Sequence, residues 1–170
     1  MSYSETTEVE APVSSPLQSD SMPLWTRPGF LIRRLNQIHY ALFLAECAEF
    51  DLTPVQYGVL TSLHEHPGND QASLARDVGI DRTNAADILR RLERRGLIAR
   101  RTSERDRRVR QCYLTAEGER IRCSMFDAMR RAQVSLLDPL TPTEQNDFLL
   151  MMMRIVNAKN HLGRTIFRPS

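Results

Sequence analysis

Ten arginines stand between Arg90 and Arg110 of this 170-residue chain, at positions 90, 91, 94, 95, 100, 101, 105, 107, 108 and 110, and only Glu93, Glu104 and Asp106 oppose them. These 21 residues carry a formal charge of +7, whereas the whole chain carries +2. A guanidinium is always charged and offers a planar fork of donors that matches phosphate or carboxylate. Such density points to a polyanion or to a solvated face. Arginine makes up 22 of the 23 basic residues, a bias that genome composition alone can produce, but composition does not gather them in one place. The acids gather as well: residues 1–22 hold Glu5, Glu8, Glu10 and Asp20 with no Lys or Arg, which leaves +6 on residues 23–170.

Other chemistries find less support. His64 and His66 flank Glu65, but His39 and His161 are distant and no cysteine pair has ligand spacing, so no metal site is expected. There is no phosphate loop, no Gly-x-Ser-x-Gly, no His-Glu-x-x-His and no dinucleotide fingerprint, so neither enzymatic activity nor a cofactor is expected. The three cysteines, Cys47, Cys112 and Cys123, cannot all pair with one another. Cys112 alone sits among arginines, the setting that lowers a thiol pKa in a redox sensor, although burial as a small apolar residue is its other reading. The longest charge-free, strongly apolar stretch, Phe148 to Met153, is six residues against the roughly 20 a membrane span needs. With no basic start and apolar run at the N-terminus, a cytoplasmic protein with reduced thiols is expected.

The composition, 41% apolar and 26% charged, fits one ordinary domain, and the elements that must position the arginines are legible along it. Residues 1–22 are rich in Ser, Thr, Glu and Pro and are expected to form a disordered tail ahead of a single domain, 23–170. From Pro28, the spacing of Leu31, Leu35, Ile38 and Leu42 predicts a helix to about Glu49. Thr53, Pro54 and Gln56 form a capping box with proline at the first turn of a second helix, stopped by Pro67 and Gly68. Gln71–Val78 and Arg82–Arg95 read as two helices joined by Gly79, Ile80 and Asp81. Alternation over 97–101 and 108–114 predicts a hairpin. Thr115 caps a long helix to about Leu137, and Thr141, Pro142 and Glu144 open a last one to about Leu162. The first and last of these helices are apolar over wide arcs, as helices with two neighbours are.

Ala75, with Gly79 four residues on and apolar Ala85 and Ile88 in the next helix, has helix-turn-helix spacing: alanine lets the helices cross closely and glycine takes the positive φ of the turn. An arginine-rich hairpin directly after it makes the whole a winged-helix DNA reader. The fold class expected is therefore mainly α with a small β-hairpin wing.

Over most of residues 30–160 the chain resembles the MarR family of transcription regulators. The resemblance is carried by Leu52-Thr53-Pro54-Val55-Gln56-Tyr57, Pro67-Gly68, Gln71 with Leu74-Ala75, Gly79-Ile80-Asp81-Arg82-Thr83, Arg91-Leu92-Glu93-Arg94-Arg95-Gly96-Leu97-Ile98, Asp106-Arg107-Arg108 and Leu114-Thr115-Ala116-Glu117-Gly118. It implies a homodimer interlocked through helices 28–50 and 115–163, with a winged lobe at 53–114. It also implies DNA-contacting roles for Arg82, Thr83, Asn84 and Ala86 early in the recognition helix, and for Arg107 and Arg108 on the wing, the last aimed at a minor groove. Asp106 would fix the wing by pairing with an arginine. Asp87 and Arg90 reverse the charges common in relatives. Asp87 either accepts from a base or pairs with Arg90 or Arg91; Arg90, Arg94, Arg100, Arg101, Arg105 and Arg110 either meet phosphates or stand solvated.

Regulators of this family commonly release DNA on binding a small phenolic or carboxylic compound, and the branch most like this chain controls breakdown of aromatic acids. The stretch from Trp25 to Tyr40 supplies groups to stack on a ring and pair with a carboxylate: Trp25, Arg33, Arg34, His39 and Tyr40. The expected function is a repressor on a palindromic operator in double-stranded DNA, released by a small aromatic carboxylate. A thiol-responsive regulator and a helical adaptor for an acidic protein partner are the alternatives.

Overall fold

A computed structural model describes residues 22–104 and 106–163. The acidic tail expected at 1–22 lies, except for Met22, outside the described residues, as does Arg105. The helices are α1 (Pro28–Cys47), α2 (Pro54–Glu65), α3 (Gln71–Asp77), α4 (Arg82–Arg94), α5 (Ala116–Leu137) and α6 (Pro142–Lys159). Strands β1 (Ile98–Thr102) and β2 (Arg110–Leu114) lie between α4 and α5. The chain divides within α1 into two compact units, residues 1–38 and 39–170. In the first, a 3₁₀ turn at Leu24–Thr26 precedes α1, and the Arg27 Nε donates to the Met22 carbonyl at 3.0 Å.

In the second unit the caps predicted at Thr53, Thr115 and Thr141 are the observed ones, and Asp70 caps α3 without having been foreseen. Thr53 and Gln56 form a reciprocal capping box on α2, as Thr141 and Glu144 do on α6. Asp70, Asp81 and Thr115 accept from the amides three residues on and so start α3, α4 and α5. Each cap satisfies donors that the first helical turn leaves without a partner. Burial works to raise the Asp70 carboxyl, but hydrogen bonds from Ser73, the Arg76 charge and the Ala72 amide outweigh it and hold the group below the usual range. α1 ends at Cys47, two residues short of the expected Glu49, and the chain continues as a 3₁₀ turn, Ala48–Phe50.

β1 and β2 pair antiparallel with Ile98 opposite Leu114 and Thr102 opposite Arg110. A third arm, which periodicity could not reveal, is reduced to an isolated bridge between Asp70 and Gln111. It is backed by Gly68 N–H to the Cys112 carbonyl (2.9 Å) and Cys112 N–H to the Asn69 carbonyl (3.0 Å). The core lies inside this lobe: Leu60, Leu63, Leu74, Leu89, Leu92, Leu97 and Met125 are fully buried. The Asp77 carboxylate ties three segments by accepting from Ser62 Oγ (2.6 Å) and Asn69 Nδ2 (3.0 Å). Arg122 donates to Glu119, and His64 Nδ1 lies 3.1 Å from that carboxylate, joining α2 to α5. The Arg122 hydrogen bond chiefly holds Glu119 down at about 2.

α6 is different, because it buries no residue, and Leu149, Leu150, Met151, Met153, Ile155 and Val156 are exposed along it. On α1, Leu31, Ile32 and Ile38 are exposed likewise. Among the described residues no helix is long and apolar enough to cross a membrane.

Gly118 in the first turn of α5 rests against the end of the recognition segment. A Cβ built there would lie 2.0 Å from the Leu97 carbonyl oxygen, which is backbone that accepts the Thr115 amide at 3.1 Å. Gly118→Ala is therefore expected to destabilise the chain by about 1–3 kcal/mol, through overpacking that the gain of helix propensity does not offset. Gly29→Ala, with nothing within 4 Å of its Cβ, is expected to be neutral or slightly stabilising. Thermal melts of the two variants check this, and equal melting temperatures would contradict it.

Candidate nucleic-acid interface

The recognition helix takes its orientation from one apolar stripe. Ala85, Leu89 and Leu92, spaced four and three apart, are buried, and the opposite face is turned outward. Ile88, expected as an apolar anchor, is only partly buried, and Leu89 occupies the core instead. The turn into the helix is the expected one: Gly79 has φ +71°, a conformation that costs glycine little, and the Ile80 amide reaches the Ala75 carbonyl at 2.9 Å. Gln71 Nε2 donates to the Arg82 carbonyl at 3.0 Å, binding the start of α3 to the start of α4. No local pattern in the sequence marked Gln71 for this.

Arg82, Thr83, Asn84, Asp87 and Arg90 are all exposed, and Ala86 is half-buried. Asn84 is held by the cap: its amide N–H donates to Asp81 Oδ1 (2.9 Å) and its Nδ2 to Asp81 Oδ2 (2.7 Å). Asp87 accepts from Arg90 Nη1 at 2.8 Å, so these two charges neutralise each other one turn apart. On the hairpin, Arg107, Arg108 and Arg110 are exposed. A crevice of about 380 Å³ between α3, α4 and the hairpin brings Arg82, Arg108 and Arg110 to one concavity, with Asp70 and Gln71 at its other wall.

The remaining arginines separate into two kinds. Arg91 and Arg94 are exposed on the last turn of α4. Arg100 instead donates through Nε to Glu93 at 2.8 Å and through Nη2 to the same oxygen. That hydrogen bond first, against some desolvation, raises the Arg100 pKa and lowers that of Glu93. The side chain of Arg100 is only 19% exposed, which takes it out of the solvated set. The Arg101 guanidinium lies 5.4 Å from the Tyr113 ring centre, a cation–π contact. Asp106 works differently from the expectation of an arginine partner: its Oδ1 accepts the backbone amide of Arg108 at 2.9 Å, and its carbonyl accepts that of Val109 at 2.9 Å. A carboxylate at the head of a tight turn is nearer to the amide two residues on than to a long side chain that extends into solvent. Among the described residues it has no ion pair.

The groups expected to meet an effector fall in both compact units. In the first, Trp25 is 71% exposed, the Arg33 guanidinium lies 5.7 Å from the Phe30 ring centre, and Arg34 donates to Gln37 Oε1 at 3.1 Å. In the second, Tyr40 is exposed, and His39 packs its ring 6.3 Å from that of Phe43. His39 Nδ1 is buried and has no hydrogen-bond partner among the described residues.

Folding keeps Arg100 across from Cys112 but does not lower its thiol. The side chain is 1% exposed, and desolvation, only partly opposed by the Arg100 charge, pushes its thiol up to about 11. Cys47 is buried and raised as well, by desolvation first and then by Glu46. Cys123 is exposed. Local charge in sequence placed Cys112 among cations, but strand alternation turned it into the core.

A helix whose outward face is polar and cationic, held by a second helix across a four-residue turn and followed by a basic hairpin, constitutes a winged helix-turn-helix. Residues 52–109 match the model of the MarR family. The transcriptional regulator HosA of Escherichia coli O111:H- is 32% identical over 81% of this chain and 100% of its own length. The PcaV transcriptional regulator of Streptomyces coelicolor, solved with its natural ligand, is 36% identical over 82% of this chain and 99% of that one, with a TM-score of 0.76. BpsR of Bordetella bronchiseptica, whose DNA binding is regulated by 6-hydroxynicotinic acid, is 25% identical over 76% of this chain and 92% of that one, with a TM-score of 0.73. The chain belongs to the MarR family of transcription regulators.

Thiol reactivity follows from the burial just described. At pH 8 a group titrating at about 11 is thiolate in about one molecule in a thousand. One thiol per chain is expected to react with a disulfide reagent under native conditions and three after denaturation, and Cys123→Ser is expected to abolish the native reaction. A native reaction that survives in that variant would contradict the assignment.

Proposed function

We propose that the chain is a dimeric repressor that grips a palindromic operator in duplex DNA and is released by a small aromatic carboxylate. The observation that carries the DNA reading is the shared concavity of Arg82, on the recognition helix, with Arg108 and Arg110, on the wing. In this reading α4 enters the major groove, where Arg82, Thr83 and Asn84 face base edges and Ala86 lies at the flank. Asn84 exchanges its Asp81 partner for a base. Asp87 and Arg90 stay paired at the groove margin, Arg105 and Arg107 meet backbone, and Arg108 takes the minor groove. Asp106 orients that wing through backbone amides. Two lobes need a common base, and the apolar faces of α1 and α6, uncovered in a single chain, supply the surface for a twin.

For the effector, the buried and unpartnered Nδ1 of His39 supports the reading, because a buried polar atom without a partner is uncommon and a carboxyl or phenol would satisfy it. Trp25 and Tyr40 offer stacking surfaces, and Arg33 and Arg34 offer charge. BpsR responds to an aromatic acid of the same chemical class.

Arg108→Ala is expected to weaken binding to a duplex selected by the wild-type protein without lowering its melting temperature, and unchanged affinity would remove the wing contact. If the dimer neutralises roughly 6 to 10 phosphates, affinity falls roughly 10³- to 10⁵-fold between 50 and 200 mM salt. A flat salt response would contradict the arginine assignment.

The effector is tested separately by melting the protein with benzoate, hydroxybenzoates and hydroxynicotinates. A ligand at about 100 times its Kd adds about 2.7 kcal/mol to the native state, which for a chain of this size is a rise of roughly 5–10 °C. The absence of a shift across the panel would overturn the effector reading and leave the DNA reading standing.

A further inference from the structure

Near the end of α4 the chain makes a contact that crosses 45 residues of sequence. The 3₁₀ turn after α1 closes at Asp51, which has φ 49° and ψ 45° and is the one non-glycine residue with positive φ among the described residues. Helix ends expose carbonyls that need donors, and a left-handed residue turns such carbonyls out of the helix. Here the donor is the guanidinium of Arg95: Nη2 donates to the Phe50 carbonyl at 3.0 Å and Nη1 to that of Asp51, with Asp51 Oδ2 3.6 Å from Nη1. A planar fork can reach two successive carbonyls where an ammonium reaches one.

The backbone of Arg95 is equally fixed. Its amide bonds to the Arg91 carbonyl at 3.1 Å, and Gly96, at φ +70°, ends the helix directly after it. The recognition helix is thus pinned by Gln71 at its first residue, by Leu89 and Leu92 along its middle, and by Arg95 at its end. At about 1.5 Å per residue, 13 residues span about 20 Å, so a tilt of about 10° about the buried middle moves each end by nearly 2 Å. Hydrogen bonds to base edges tolerate far less than that.

We infer that Arg95 is a positioning residue for DNA reading: by clamping the end of α4 to the Phe50–Asp51 corner, it sets the angle at which Arg82, Thr83 and Asn84 meet the groove. This rests on the DNA-binding reading above. The clamp's donors face carbonyls, so Arg95 acts through the helix and not on phosphate. It also gives the corner after α1 a direct mechanical link to the reading face.

The test uses the full chain and two duplexes, one selected from a random pool by the wild-type protein and one of unrelated sequence. Arg95→Met keeps the apolar stem and removes the donors. It is expected to weaken the selected duplex about tenfold while the unrelated duplex changes less than about twofold, with the salt slope unaltered. Arg95→Lys, which keeps one donor, is expected to recover part of the loss, and it tests the clamp even if the Met variant fails to fold. Equal loss on both duplexes with a slope lower by about 0.9 per chain would make Arg95 a phosphate contact and overturn the inference. Wild-type discrimination in the Met or Lys variant would overturn it too. A wild-type protein that binds neither duplex sinks the DNA reading instead, so the two failures are distinct.

Discussion

The burial of Ala85, Leu89 and Leu92 decides the rest of the molecule. α4 does not hold its shape alone, because isolated helices of 13 residues are marginal in water and take most of their stability from packing. Docking that single stripe onto the lobe core orders the helix and, by geometry, leaves Arg82, Thr83, Asn84 and Arg90 on the far side. Function and folding therefore share one stripe: the residues that cannot face water determine which residues must.

Around that stripe the structure spends its polar contacts on orientation more than on strength. Surface ion pairs such as Asp87 with Arg90 contribute little, typically under about 1 kcal/mol. The contacts that join distant segments are of another kind. Asp77 gathers α2 and the segment before α3, Glu93 holds β1 through Arg100, and Arg95 reaches the corner after α1. Each fixes a relative direction that apolar packing alone leaves adjustable, since hydrophobic contact is non-directional.

The parts legible in the sequence are those governed by near neighbours. Thr53 with Gln56 and Thr141 with Glu144 are complete signals within four residues, and the structure uses both as read. Gly79 announced its positive φ, and the hairpin announced itself by alternation, with its second strand beginning at Arg110 and not at 108. The outward set on α4 came from the family resemblance, and the apolar spacing read beside it named Ile88 where Leu89 is the buried residue. What stayed hidden depends on sequence separation. Glu93 and Arg100 flank a turn and obey no helix or strand spacing rule, and Arg95 finds its carbonyls 44 and 45 residues away. Asp106 was expected to seek a charge, and its carboxylate found the amide two residues on. Cys112 was placed by its charged neighbours, although its burial in the core outweighs the Arg100 charge across the strand pair.

The naked apolar side of α6 has a consequence for gene dosage. If the reader is built from two copies, as proposed above, it obeys mass action, so when copies are scarce the number of assembled pairs scales with the square of the supply. Halving expression then removes about three-quarters of the working units, and the row of methionines and branched side chains from Leu149 to Val156 becomes a threshold in the cell's arithmetic as much as a surface.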